Sequence, residues 1–106
     1  MTRQELHDRI TAGNPPNILD VRSRREYRRG HVPGAVFIPF WAIQFLGPLL
    51  ARRLPAQPDE TLVVYCGHGP RAWMAGPSLR LRGFRDVQYL DGHWSVWARE
   101  GRPIER

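Results

Sequence analysis

Cys66 is the only cysteine among the 106 residues, and it stands in the stretch VVYCGHGPRAWMA, residues 63–75. An apolar run leads into it, and Gly67, Gly69, Pro70 and Arg71 follow within five residues. A loop with so few side chains exposes its backbone, and glycine tolerates the positive φ that a tight curl needs. If Gly67, His68, Gly69, Arg71 and Ala72 curl around the sulfur, their N–H groups converge on it. The helix that follows adds the positive end of its dipole. Such a curl is a nest for an anion. A free thiol ionises near pKa ~8.5, so only a few per cent is thiolate at neutral pH. The dipole supplies about 0.3–1 kcal/mol, up to ~2 when partly buried, against about 1.4 kcal/mol for each pKa unit. The converging amides must therefore provide any drop beyond about one unit. Two readings of the thiol stand: an activated nucleophile, or the buried core cysteine that is the commonest fate of a free thiol.

The remaining composition narrows the chemistry. A single cysteine excludes an internal disulfide framework and a four-thiolate zinc site. No histidine cluster has metal-ligand spacing, so no metal site is expected. Every basic residue is arginine, which excludes Schiff-base and lysine-nucleophile chemistry. The formal net charge is +6, a balance that favours anionic partners. The pairs Arg24-Arg25, Arg28-Arg29 and Arg52-Arg53 are dispersed and form no arm for nucleic acid. Asp20, Arg22 and Glu26 fit ion pairs that support a loop better than acid–base catalysis, and His31 fits a hydrogen bond to backbone. His68, inside the loop, either orients a substrate or stands exposed. No signal-peptide order opens the chain, and no apolar run approaches the roughly 20 residues that span a bilayer. A lone thiol suits a reducing compartment. The expectation is a cytoplasmic protein with neither a membrane nor a nucleic-acid partner.

The elements that must position the thiol can be read from periodicity and punctuation. The spacing predicts helices over Thr2–Ala12, Ser23–Arg29, Trp41–Arg53, Ala72–Arg82 and Trp94–Glu100, and strands over Ile18–Val21, Ala35–Ile38, Thr61–Tyr65 and Val87–Leu90. Ser23 and Glu26 have capping-box spacing. Gly47-Pro48 should interrupt the third helix, and Pro77 should kink or break the fourth near Gly76. Trp41, Ile43, Phe45, Leu46, Leu49 and Leu50 form an apolar block whose default use is core packing. Strands that alternate with helices argue an α/β fold in which a small parallel sheet carries helices on both faces. The length suits one domain, 1–106. In such sheets the functional site lies beyond the C-terminal ends of the strands, and Cys66 is the first residue after the most apolar strand.

Four segments resemble the rhodanese family of sulfurtransferases. ILDVRSRREYRRGHVPGAVFIP, residues 18–39, is similar to the family's Asp-Val-Arg string, short helix and Gly-His-x-Pro-Gly-Ala turn. CGHGPR, residues 66–71, looks like its active loop. Gly83-Phe84 with Val87, and LDGHWSVWAREGRP from Leu90, fall at the family's spacing. Departures are Ala72, where the family often has serine, and His93, where a second glycine usually follows Gly92. The resemblance implies a rhodanese fold and transfer of sulfane sulfur from thiosulfate through a Cys66 persulfide to cyanide or a thiol acceptor, with a protein thiol as one such partner. Cys66 is then the catalytic residue. Gly67, His68, Gly69, Arg71 and Ala72 bind the substrate, Arg71 also attracts the anionic donor, and no cofactor is needed. The resemblance places Trp94 beside the loop, as the helix start places Trp73. Two alternatives share the fold: a non-catalytic binding module, and a phosphatase or arsenate reductase. Relatives of the latter kind have five residues between cysteine and arginine, whereas here Gly67–Pro70 make four, a tighter ring.

Overall fold

A computed structural model of the chain describes the backbone of residues 1–50 and 53–106 and the side chains of 1–45 and 53–106. The elements follow as α1 (Arg3–Thr11), β1 (Asn17–Asp20), α2 (Arg24–Arg29), β2 (Val36–Phe37), α3 (Phe40–Leu50), β3 (Thr61–Tyr65), α4 (Pro70–Leu81), β4 (Asp86–Tyr89) and α5 (His93–Arg99). The four strands form one sheet in the order β2-β1-β3-β4, and every pairing is parallel.

Alternation along the strands sorts the core into two layers. On one face Leu19, Leu62 and Val64 pack with Ile43 of α3 and with Ala75 and Leu79 of α4. On the other, Ile18, Val63 and Tyr65 pack with Leu6 of α1 and Trp97 of α5. Helices therefore cover both faces, which is why β3 reads as a continuous apolar run rather than an alternating one. Local chemistry sets several helix starts. Thr2 caps α1 by accepting the Glu5 N–H at 3.0 Å, and Ser23 and Glu26 complete a capping box at the start of α2.

Some boundaries differ from the sequence-based expectations. The strand expected over Ala35–Ile38 is reduced to two residues. The helix after Cys66 starts at Pro70, two residues before Ala72, because proline at the first turn forfeits no helical hydrogen bond. Neither helix is broken: α3 runs through Gly47-Pro48, and α4 runs through Pro77. A proline inside a helix costs about 3 kcal/mol, and tertiary packing offsets it here. Ala42 and Ile43 of α3 are buried against the same core as Ala75 and Leu79 of α4, and Ser78 of α4 hydrogen-bonds Gln44 of α3. In the apolar block, Ile43 is core while Trp41 and Phe45 are exposed. Leu46, Leu49 and Leu50 lie outside the residues with described side chains, and residues 51 and 52 lie outside the described residues altogether.

The strand order creates one switch point. From β1 the chain runs outward to β2, then returns through α3 to the other side of β1 as β3. Crevices for ligands in open parallel sheets form where the connections diverge in this way, beyond the carboxyl ends of the strands. Val21-Arg22 leaves the sheet there from β1, and Cys66-Gly67 leaves it from β3.

Candidate active site

The residues after β3 close around the Cys66 sulfur. The Gly69 N–H donates to Sγ at 2.9 Å. Gly69 has φ +134°, and a Cβ there would lie 2.5 Å from the Trp73 ring, so only glycine fits both the curl and the indole above it. Gly69 is also the cap of α4, and its carbonyl accepts the Trp73 N–H at 2.9 Å. The cysteine is covered, while His68 and Pro70 of the loop are exposed. Burial pushes the thiol up. A hydrogen bond with the His93 side chain and the backbone N–H groups of Ala72, Gly69 and His68 pull it down further, and the net result is about 7. Near neutral pH the sulfur is thus close to half ionised, well above the few per cent of an ordinary thiol.

The loop is held from the far side by the start of α5. The Cys66 carbonyl accepts the Trp94 N–H at 2.9 Å, and the Gly67 carbonyl accepts the Ser95 N–H at 3.0 Å. The Cys66 N–H donates to His93 Nδ1 at 3.2 Å. The first amides of α5, which have no partner inside the helix, are therefore used to fix the nucleophile's backbone. The Trp73 ring stands edge-on to the His93 ring, with centroids 6.1 Å apart.

Arg71 turns toward α2 and grips Glu26 with both nitrogens, at 2.6 and 3.1 Å. Hydrogen bonds from Arg71 hold the Glu26 carboxyl down against its partial burial, with Ser23 adding to the effect, at about 2. The Arg71 Nη2 lies 3.1 Å from the position of a Cβ on Gly67, so the ion pair rests on the loop. Arg71 also borders a cleft of about 210 Å³ lined by Arg22, Arg24, Phe37, Phe40 and Trp41, with no acidic residue in its wall.

Beneath this lies a buried polar network. Asp20 accepts from the Arg22 guanidinium, the closest contact being 2.7 Å, and from the Tyr65 hydroxyl at 2.7 Å. Arg22 also donates to the Gly30 carbonyl at 2.6 Å and lies 4.6 Å from the Trp94 ring centre. Burial and the neighbouring Asp20 carboxylate push the Tyr65 phenol far above its ordinary range. The paired and hydrogen-bonded state of these buried charges marks them as supports of the two strand ends. His31 bonds the Tyr27 carbonyl and Glu105.

Of the loop residues singled out by sequence, His68, Gly69 and Ala72 turn their backbone N–H groups to the Cys66 sulfur, whereas Gly67 is engaged through its carbonyl by Ser95 and the Arg71 side chain turns to Glu26. Trp73 packs over Gly69, and Trp94 reaches the loop through its amide. Sequence reasoning assigned no role to His93, although its place where the resemblance would put glycine was the available signal. Glu26 was read as a structural ion-pair partner, but that its partner is Arg71, 45 residues away, had no sequence signal.

A parallel α/β sheet that holds one cysteine in a backbone nest at its switch point defines a class of cysteine-loop domains. Within it, the chain belongs to the Rhodanese-like domain family, whose profile matches residues 2–100. It is 35% identical over 103 residues to the probable adenylyltransferase/sulfurtransferase MoeZ of Mycobacterium tuberculosis, which covers 97% of this chain but only 25% of that protein. It is 30% identical over 101 residues to a sulfurtransferase of Allochromatium vinosum, covering 95% of this chain and 89% of that one. Among solved structures it is similar to the Alr3790 protein from Anabaena sp., with a TM-score of 0.83 and 29% identity over 99% of this chain and 80% of that one. Among the described residues no helix is long and apolar enough to cross a membrane.

Proposed function

We propose that this protein is a thiosulfate sulfurtransferase that works through a Cys66 persulfide. One observation carries the reading: the Cys66 sulfur lies at the switch point of the sheet, with the Gly69 amide donating to it at 2.9 Å. Family membership and relatives named as sulfurtransferases support sulfur transfer as the activity. Thiosulfate as the donor is this reading's own step, supported by the arginine-lined, acid-free cleft beside Arg71.

In this mechanism the Cys66 thiolate attacks the outer sulfur of thiosulfate. A new S–S bond forms, the bond within thiosulfate breaks, and sulfite leaves with its electron pair. The terminal sulfur of the persulfide carries the negative charge, and the loop amides stabilise it as they stabilise the thiolate. Cyanide or an acceptor thiolate then attacks that terminal sulfur. Thiocyanate or a new persulfide departs, and the Cys66 thiolate is restored. The route divides one transfer into two, so the kinetics are ping-pong. The lone thiol suits a reducing, cytoplasmic setting.

Intact-mass measurement after incubation with thiosulfate tests the proposal. The expected result is one added sulfur on the wild type, removed by cyanide, and none on Cys66→Ser, with turnover lost in that variant. A folded wild type that gains no sulfur, or Cys66→Ser that still turns over, would overturn it.

A further inference from the structure

Outside the glycines, His93 is the one residue with positive φ among the described residues, at +53°. This left-handed region suits glycine, and histidine enters it only where the surroundings hold it there. The residue is 5% exposed, so a polar ring is buried at a strained position. The ring is not idle: its Nδ1 accepts the Cys66 N–H at 3.2 Å. The next two amides in the chain bind the Cys66 and Gly67 carbonyls. The turn therefore aims one side chain at the residue that carries the only thiol.

We propose that His93 is a positioning residue for the nucleophile: from its left-handed turn at the start of α5, the imidazole accepts the Cys66 N–H and so holds in place the loop whose amide faces the sulfur. This rests on the reading of Cys66 as the nucleophile. Because the Cys66 amide donates to Nδ1, that nitrogen carries no proton, and Nε2 holds the ring's N–H. Without that acceptor the Cys66 backbone is freed, and the Gly69 N–H that favours the thiolate at 2.9 Å from Sγ is no longer held in register. The other charged or titratable groups around the pair are Arg71 of α4, itself bonded to Glu26 of α2; His68 in the loop; and Asp91 with Arg3 of α1, whose guanidinium donates to the Asp91 carbonyl. All of them remain when His93 is replaced.

Two variants separate this role from simple packing. His93→Gly removes the ring and relieves the backbone. His93→Asn keeps a side-chain acceptor and tolerates the left-handed turn, but has no imidazole. With a single cysteine in the chain, the rate of alkylation by iodoacetamide against pH reads the thiol directly and needs no sulfur donor. The expected result is a midpoint about one unit higher in His93→Gly, hence about tenfold slower alkylation at pH values well below it, with most of the shift recovered in His93→Asn. Persulfide formation from thiosulfate should fall in parallel. Should His93→Gly fail to fold, His93→Ala, which also lacks the acceptor, takes its place. A folded acceptor-free variant with the wild-type midpoint, or a His93→Asn that shifts as far as the acceptor-free variant, would overturn the proposal. If the midpoint moves as expected while no form of the protein takes sulfur from thiosulfate, the role of His93 stands and the assignment of the donor falls.

Discussion

Glu26 joins two tasks in one carboxylate. It closes the capping box of α2 through Ser23, and it holds Arg71 against the loop. Its carboxyl ionises at about 2, lowered chiefly by the bonds from Arg71, from an ordinary value of 4.5. A carboxyl lowered on folding contributes stability that is fully present above the unfolded value and is lost as pH falls through the folded one. The window is therefore pH 4.5 down to about 2. Both partners are about a third exposed, so solvent screening limits the contribution to about 1 kcal/mol or less. Glu26→Gln retains a capping-box acceptor but loses the charge. Thermal melts should show the variant less stable than wild type at pH 7, with the gap closing by pH 2. A gap that does not depend on pH would mean that Arg71 draws nothing from the charge of Glu26.

At the scale of elements, α4 carries the loop, and its seat on the sheet depends on close approach. Gly76 lies in the middle of the helix and is buried. A Cβ there would collide with the Tyr89 hydroxyl of β4, and the Tyr89 ring is flanked by the Arg80 guanidinium 5.9 Å from its centre. Alanine is the better helix former by about 1 kcal/mol, while overpacking a closed contact costs about 1–3 kcal/mol. Packing should win. Gly76→Ala is expected to lower Tm by several degrees, and adding Tyr89→Phe, which removes the colliding oxygen, should recover part of the loss. A Gly76→Ala protein as stable as wild type would show that Tyr89 swings aside and that α4 does not need this approach.

For the molecule as a whole, the excess of positive charge sets how anions arrive. The net charge is +6, and the cleft beside the loop is walled by Arg22, Arg24 and Arg71. Fields of one sign focused at a cleft raise the encounter rate of small ions, and salt screens them over about 10 Å at 0.1 M. For thiosulfate, kcat/KM should fall severalfold as ionic strength rises from about 0.02 to 0.2 M. With the protein preloaded with sulfur, the second half-reaction with an acceptor whose thiolate carries a single negative charge, half that of thiosulfate, should change less. Equal salt dependence in both halves would mean that donor capture is not steered by these charges.

The amino-acid sequence by itself determined the order of strands and helices, the loop around Cys66 and the capping box at Ser23, because each rests on neighbours in the chain. Periodicity, punctuation by glycine and proline, and a three-residue cap are all local. It failed where long-range packing outweighed local propensity. The helices α3 and α4 pass Gly47-Pro48 and Pro77 because Ile43, Ala75 and Leu79 share one buried layer, and no local pattern reports that neighbour. The pairing of Arg71 with Glu26 and the aim of His93 at the Cys66 amide were decided by tertiary structure alone. Both need β1 and β3 side by side, so that α2, α4 and the start of α5 meet at one end of the sheet. The chain spells out a nucleophile and its nest, while the groups that hold and tune it come from segments that only the fold brings within 3.2 Å.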